Sequence, residues 1–266
     1  MNPITRLRCT YALMIVFVAV VIVHMGMFIT YQVRSGVFQG PVLNYALIDM
    51  IIAYTLVQII WRSTWQLVLS QKWLKHFRAN RHDKLTKRLN YKYRGWGTEI
   101  IVVQDNAFVA LTLGLLRPKI VVSTTVLEMF NDQEVKAILL HERYHCRNYD
   151  GLKTFFSTLL ADAFGYLPIV KPILRYYQTW QELFADRFAI RQMGTELYLG
   201  SVLLKLAKLG KLRRYGAAVH FADTTLQYRV MQVLEPDRGV NVPLALLKPF
   251  LRSCSILLLF MLGGDS

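Results

Sequence analysis

The feature that most constrains this chain is a run of 25 residues, Cys9 to Val33, without a single Asp, Glu, Lys or Arg; its centre reads YALMIVFVAVVIVHMGMFI. As a helix, such a run is long enough to cross the roughly 30 Å of hydrocarbon in a bilayer. It is too long for the apolar part of a cleaved leader, and no small-x-small processing site follows it. A second run, Ser35 to Trp61, carries one charge, Asp49. Two crossing helices joined by a tight turn around Tyr31 to Gly40 are therefore expected, with Asp49 a costly carboxylate that such a setting retains for a polar partner or a function. The 54% hydrophobic content and mean hydropathy of +0.30 agree with a membrane protein. Three cysteines, at 9, 146 and 254, are too few and too far apart for a disulfide scaffold or a cysteine-based zinc module.

The net charge of +15 could suit nucleic acid, anionic lipid or a cytoplasmic membrane face, so its placement decides. Residues 62–94 hold ten basic side chains, from Arg62 to Arg94, against one acid, Asp83. By the positive-inside bias this segment is cytoplasmic, and Arg6 and Arg8 put the N-terminus on the same side. The juxtamembrane position explains the cluster, and no helix-turn-helix or zinc-finger pattern accompanies it, so no specific nucleic-acid partner is expected; membrane lipid is.

Between Gly95 and Ser123 the text changes to short β-branched runs, EIIVVQ, AFVALTLGL and RPKIVVS, which predict a small sheet or meander. A firmer helix starts at Asn131 or Asp132, with acids in its first turn. In its middle lies His141-Glu142-Arg143-Tyr144-His145. Residues four apart stand one above the other on a helix, so both imidazoles can reach one zinc ion with Glu142 beside them as general base. Zinc with an open position acidifies water, the chemistry of peptide hydrolysis. A third protein ligand is needed. The few downstream acids include Glu182 and Asp186, which share a face of the apolar helix TWQELFADRFAIRQMG and, if buried, need a cation or hydrogen bonds. Asp186 can also orient a ligating histidine through its other nitrogen or pair with a base such as Arg229. Asp150 can orient a histidine or cap the helix that follows it. Cys146 points away from His145 and reads as packing.

The remaining tracts are less clean. Residues 152–177 carry four charges and a Gly165-Tyr166-Leu167-Pro168 break, and read as two short, partly buried helices. A full crossing there would part His145 from Glu182, so the tract must re-enter or stay at the interface. Residues 200–214 form a basic amphipathic helix, 221–234 another helix, and 242–262 an oblique span or interfacial helix.

On the text NAFVALTLGLLRPKIVVSTTVLEMFNDQEVKAILLHERYHCRNYD, QELFADRFAI and YRVMQVL, the chain resembles the BlaR/MecR-type membrane zinc metallopeptidases, and more broadly the HtpX and CAAX-processing membrane endopeptidases. The resemblance implies an α-helical integral membrane protein with a gluzincin-like α+β zinc peptidase domain carrying a small β-sheet. It implies a multi-pass protein of a bacterial cell membrane, involved in signal transduction, with a transmembrane hairpin over 1–61, a cytoplasmic peptidase domain over 62–241 and a C-terminal transmembrane or interfacial helix over 242–266. One zinc would be held by His141, His145 and Glu182, with Glu142 as base and Asp186 and Asp150 behind the ligands. An extended peptide would lie along an edge strand made by Phe108, Val109, Ala110, Leu111, Thr112 and Leu113. The substrate implied is a cytoplasmic or membrane-proximal protein, with a cytoplasmic repressor as the family's example. Because the sequence ends at Ser266, without an outer sensor domain, β-lactam sensing by this chain itself is not expected. The rival reading is a catalytically silent regulatory membrane protein that keeps a structural metal site.

Overall fold

The computed structural model describes residues 3–35, 42–210, 219–235 and 240–264. In chain order the elements are α1 (Pro3–Ser35), α2 (Val42–Ala79), α3 (Asp83–Lys92), β1 (Ile100–Val103), β2 (Ala110–Leu113), β3 (Lys119–Ser123), α4 (Thr124–Met129), α5 (Asp132–Asn148), α6 (Asp150–Ala163), α7 (Val170–Met193), α8 (Leu197–Gly210), α9 (Val219–Leu234) and α10 (Leu247–Gly264). They divide into two compact units. The first contains residues 1–66, 156–177 and 243–266, the second 67–155 and 178–242. Of the tight turn expected over 31–40, residues 31–35 belong to α1 and 36–40 lie outside the described residues, as do 211–214 of the basic amphipathic stretch.

In the first unit, Met14, Val18 and Val21 of α1 pack against Ala161, Phe164, Leu167, Ile169 and Ile173. Among the described residues, one stretch, Leu7–Tyr31 within α1, is long and apolar enough to cross a bilayer. Much of that stretch faces outward with apolar side chains, Val16, Val20, Val23 and Met27 among them. Three polar contacts tie its helices together. Arg62 pairs with Asp162 at 3.3 Å, Ser157 Oγ donates to Tyr11 Oη at 3.2 Å, and the Ile169 N–H donates to Ser253 Oγ at 3.1 Å. The Gly165–Pro168 break ends α6 at Ala163, and α7 begins at Val170. Instead of two short helices, α7 runs 24 residues and carries the later apolar helix in one piece. Pro172 is tolerated because it sits in the first turn, where a backbone donor has no intrahelical partner.

The second unit is built on a three-stranded sheet of order β1-β3-β2. It is not a meander: β1 pairs with β3 in parallel, and β2 and β3 are antiparallel. One edge is covered, because the His82 N–H donates to the Val102 carbonyl at 2.8 Å and the Gln104 N–H to Asn80 at 2.7 Å. The other edge is β2. It spans only Ala110–Leu113 of the expected strand, since its partner β3 turns into α4 at Thr124. Before it, Val109 N–H donates to Ser123 Oγ at 3.2 Å, and Phe108 packs edge-on against Phe130 with ring centres 5.9 Å apart.

Helix α5 packs on this sheet through Val135, Ile138, Leu139 and Cys146, against Ile100, Val102, Ile120 and Val122. Its start is set by a capping box: Asn131 Oδ1 accepts from the Gln133 and Glu134 N–H groups, and Glu134 Oε2 accepts from the Asn131 N–H. Glu134 is also buried against α8, where Ser201 and Lys205 donate to it at 2.6–2.8 Å. These bonds outweigh the cost of burial and hold its carboxyl below the usual range. The cap thus fixes where along α5 each later residue stands.

Candidate metal centre

Because α5 runs without a break through residues 141–145, both imidazoles project from one face, with their Nε2 atoms 3.1 Å apart. From α7, Glu182 brings Oε2 to 3.2 Å from His141 Nε2 and Oε1 to 3.6 Å from His145 Nε2. A donor atom from each of the three residues lies within 4.8 Å of the other two. Tetrahedral zinc with ligands at about 2.0–2.2 Å separates its donor atoms by roughly 3.3–3.6 Å, the scale of these separations.

The outer nitrogens are also occupied. His141 Nδ1 lies 2.8 Å from Asp186 Oδ1, and His145 Nδ1 lies 2.9 Å from Asp150 Oδ2. Each Nδ1–H donates to its carboxylate, which turns the Nε2 lone pairs toward Glu182. Three electron-rich atoms facing one another need a cation, or a proton, between them. The donor set therefore fits zinc. Without a metal, burial and Arg229 work against a charged His141, yet the bonds to Asp186 and Glu182 prevail and push its pKa up to about 10.

Arg229, from α9, completes the buried network. Its Nε and Nη2 donate to Asp186 at 2.7 and 2.9 Å, and its Nη1 stands 3.1 Å from Glu182 Oε2. Burial alone would raise both carboxyls, but Arg229 and the histidines hold them well below the usual carboxylate range. Arg229 was legible as a partner for Asp186; its second contact, to Glu182, was not, because nothing local in sequence relates α9 to α7.

Asp150 is the first residue of α6, and its side chain pairs with His145. The chain reaches it through Tyr149, the one non-glycine residue with positive φ (52°) among those described, which reverses the backbone after α5. Glu142 lies beside the cluster, with its Oε2 3.0 Å from Thr112 Oγ1. Cys146 is buried, and its thiol is pushed up to about 11, chiefly by desolvation, so it packs as a neutral group. Arg143 does not stand free in solvent but lies over the Trp96 ring at 4.9 Å. The Glu182 side chain is 32% exposed, against 8% and 12% for the two imidazoles, so the cluster opens to water on the Glu182 side.

A pair of helix-borne histidines, one buried and one half-buried, with a carboxylate from a second helix defines a candidate zinc metalloenzyme. A model of the BlaR1 peptidase M56 family matches residues 38–233, and the chain belongs to that family. It is also 32% identical over 101 residues to the regulatory protein BlaR1 of Bacillus licheniformis. That alignment covers 37% of this chain and 17% of the length of the relative.

Proposed function

We propose that this protein is a membrane-anchored zinc endopeptidase, with His141, His145 and Glu182 as metal ligands and Glu142 as general base. The observation that carries the reading is the meeting of two Nε2 atoms and a carboxylate at 3.1–3.6 Å, each imidazole oriented by its own carboxylate. Zinc bound there supplies Lewis acidity, bringing the pKa of water toward neutrality. Glu142 takes a proton from the attacking water and returns it to the leaving amine. Asp186 and Asp150 keep the imidazoles neutral and aimed, and Arg229 offsets the charge of Asp186 and Glu182. The edge of β2 away from β3, together with Phe108 and Val109 before it, takes the substrate as an added strand.

The substrate is a cytoplasmic or membrane-proximal protein, and the kinship with a regulatory protein favours a regulatory one, such as a repressor. The anchor is multi-pass: a hairpin over 1–61, the tract at 152–177 returning to the face it left, and a C-terminal helix over 242–266. The N-terminus and the catalytic domain, 62–241, lie in the cytoplasm, a reading supported by the basic segment from Arg62 to Arg94. The wider likeness to the HtpX and CAAX-processing enzymes rests on the shared pattern of His-Glu-x-x-His followed by Glu-x-x-x-Asp. Glu142→Gln tests the reading. It keeps zinc and lowers cleavage by about 10²–10⁴-fold. Undiminished cleavage, read as the same processed protein in cells carrying either form, would remove Glu142 and the mechanism with it.

A further inference from the structure

We propose that Thr112 is a positioning residue for Glu142, and that it ties the base to the strand on which substrate docks; this rests on the peptidase reading above. In β2 the side chains alternate. Leu111 and Leu113 pack on the side of Phe77, Val103 and Val121, whereas Ala110 joins the core shared with α5. Thr112 shares the Ala110 side, where alternation asks for an apolar, β-branched residue, and Val would match its shape. Instead, Oγ1 stands 3.0 Å from Glu142 Oε2, 3.0 Å from the Glu142 carbonyl and 3.5 Å from Cys146 Sγ.

A hydroxyl has one proton to donate, and a carboxylate is the strongest of these three acceptors. The Glu142 carbonyl lies inside α5 and already has the helical partner four residues on, so the helix does not need the hydroxyl. With Oε2 held, Glu142 is locked in one rotamer and Oε1 is left for water. Peptide pairing along Ala110–Leu113 loads the same strand, so a docked substrate and an aligned base share Thr112.

The test uses the full, zinc-loaded chain in lipid nanodiscs with an internally quenched fluorogenic peptide library, and calorimetric binding of a peptide hydroxamate as a readout that needs no turnover. Thr112→Val lowers kcat by about 10–100-fold with KM nearly unchanged, as expected for a base shifted out of line. Thr112→Ser, which keeps the hydroxyl, restores most of the rate. Thr112→Val also weakens hydroxamate binding when Glu142 is present and has no further effect on a Glu142→Ala background, which removes the acceptor. Zinc content stays the same in all variants. Thr112→Ala serves if the Val form does not fold.

Full activity of Thr112→Val beside an active native chain overturns this proposal alone. Failure of the Ser form to rescue does the same, as does an equal loss of hydroxamate binding on both backgrounds. A native chain that binds zinc but cleaves nothing overturns the peptidase reading, and this proposal with it.

Discussion

The two units break the usual sorting of side chains in opposite directions. The first turns apolar residues outward along α1, and inside it pairs Arg62 with Asp162 and Ser157 with Tyr11. The second has an ordinary apolar core, yet it buries Asp186, His141, Glu142 and Asp150 in one cluster. Outward-facing apolar side chains are stable where the surrounding medium is itself apolar. Inward-facing carboxylates are stable where a cation joins them. The outward apolar face of α1 thus suits lipid, while the buried carboxylates are joined by Arg229 and the histidines, with Glu182 left where the proposed metal ion would bind.

The largest effect that could break this contrast is at Arg229. Arg229→Ala leaves Asp186, which is 0% exposed, without its cation and should cost about 3–5 kcal/mol, read as a fall in the thermal midpoint of the second unit. A change under about 0.5 kcal/mol would mean that the carboxylates are not held as described. Next in size is a charge placed on α1. Val20→Lys, at a site 51% exposed, should cost about 2.5–3.5 kcal/mol of membrane insertion. Leu116→Lys, at a site 77% exposed between β2 and β3, should change stability by less than about 0.5 kcal/mol. Equal costs at the two sites would erase the distinction between lipid-facing and water-facing surface.

The remaining effect is in protons. Folded, metal-free protein holds the His141 proton with a pKa of about 10, above the 6.5 of the unfolded chain. That proton's stabilisation is complete below pH 6.5 and is lost as pH rises through 10. Zinc takes its place, so binding at pH 8 should release about one proton, seen as a buffer-dependent heat. A heat independent of buffer would show that His141 was already neutral.

Much of the site could be read locally, and much of the fold could not. The spacing of His141 and His145, the start of α5 at Asn131–Asp132 and the break at Gly165–Pro168 are local signals, and each corresponds to a feature of the structure. Strand order was hidden, because the parallel pairing of β1 with β3 joins segments separated by β2. Glu134 reads as a first-turn acid, yet it is buried against Ser201 and Lys205, a contact made only when α8 packs on α5. The hydroxyl of Thr112 was invisible as more than one residue in a β-branched strand, since its acceptor stands 30 residues away. What the sequence hid in each case is a long-range pairing of polar groups.

The most direct test of the central claim is zinc stoichiometry of the purified full chain after dialysis, measured beside His141→Ala, His145→Ala and Glu182→Ala. The account predicts one zinc per native chain and a near-complete loss in each variant while the fold survives. A native chain that retains no zinc, or a Glu182→Ala form that holds it as tightly as the native one, would contradict it.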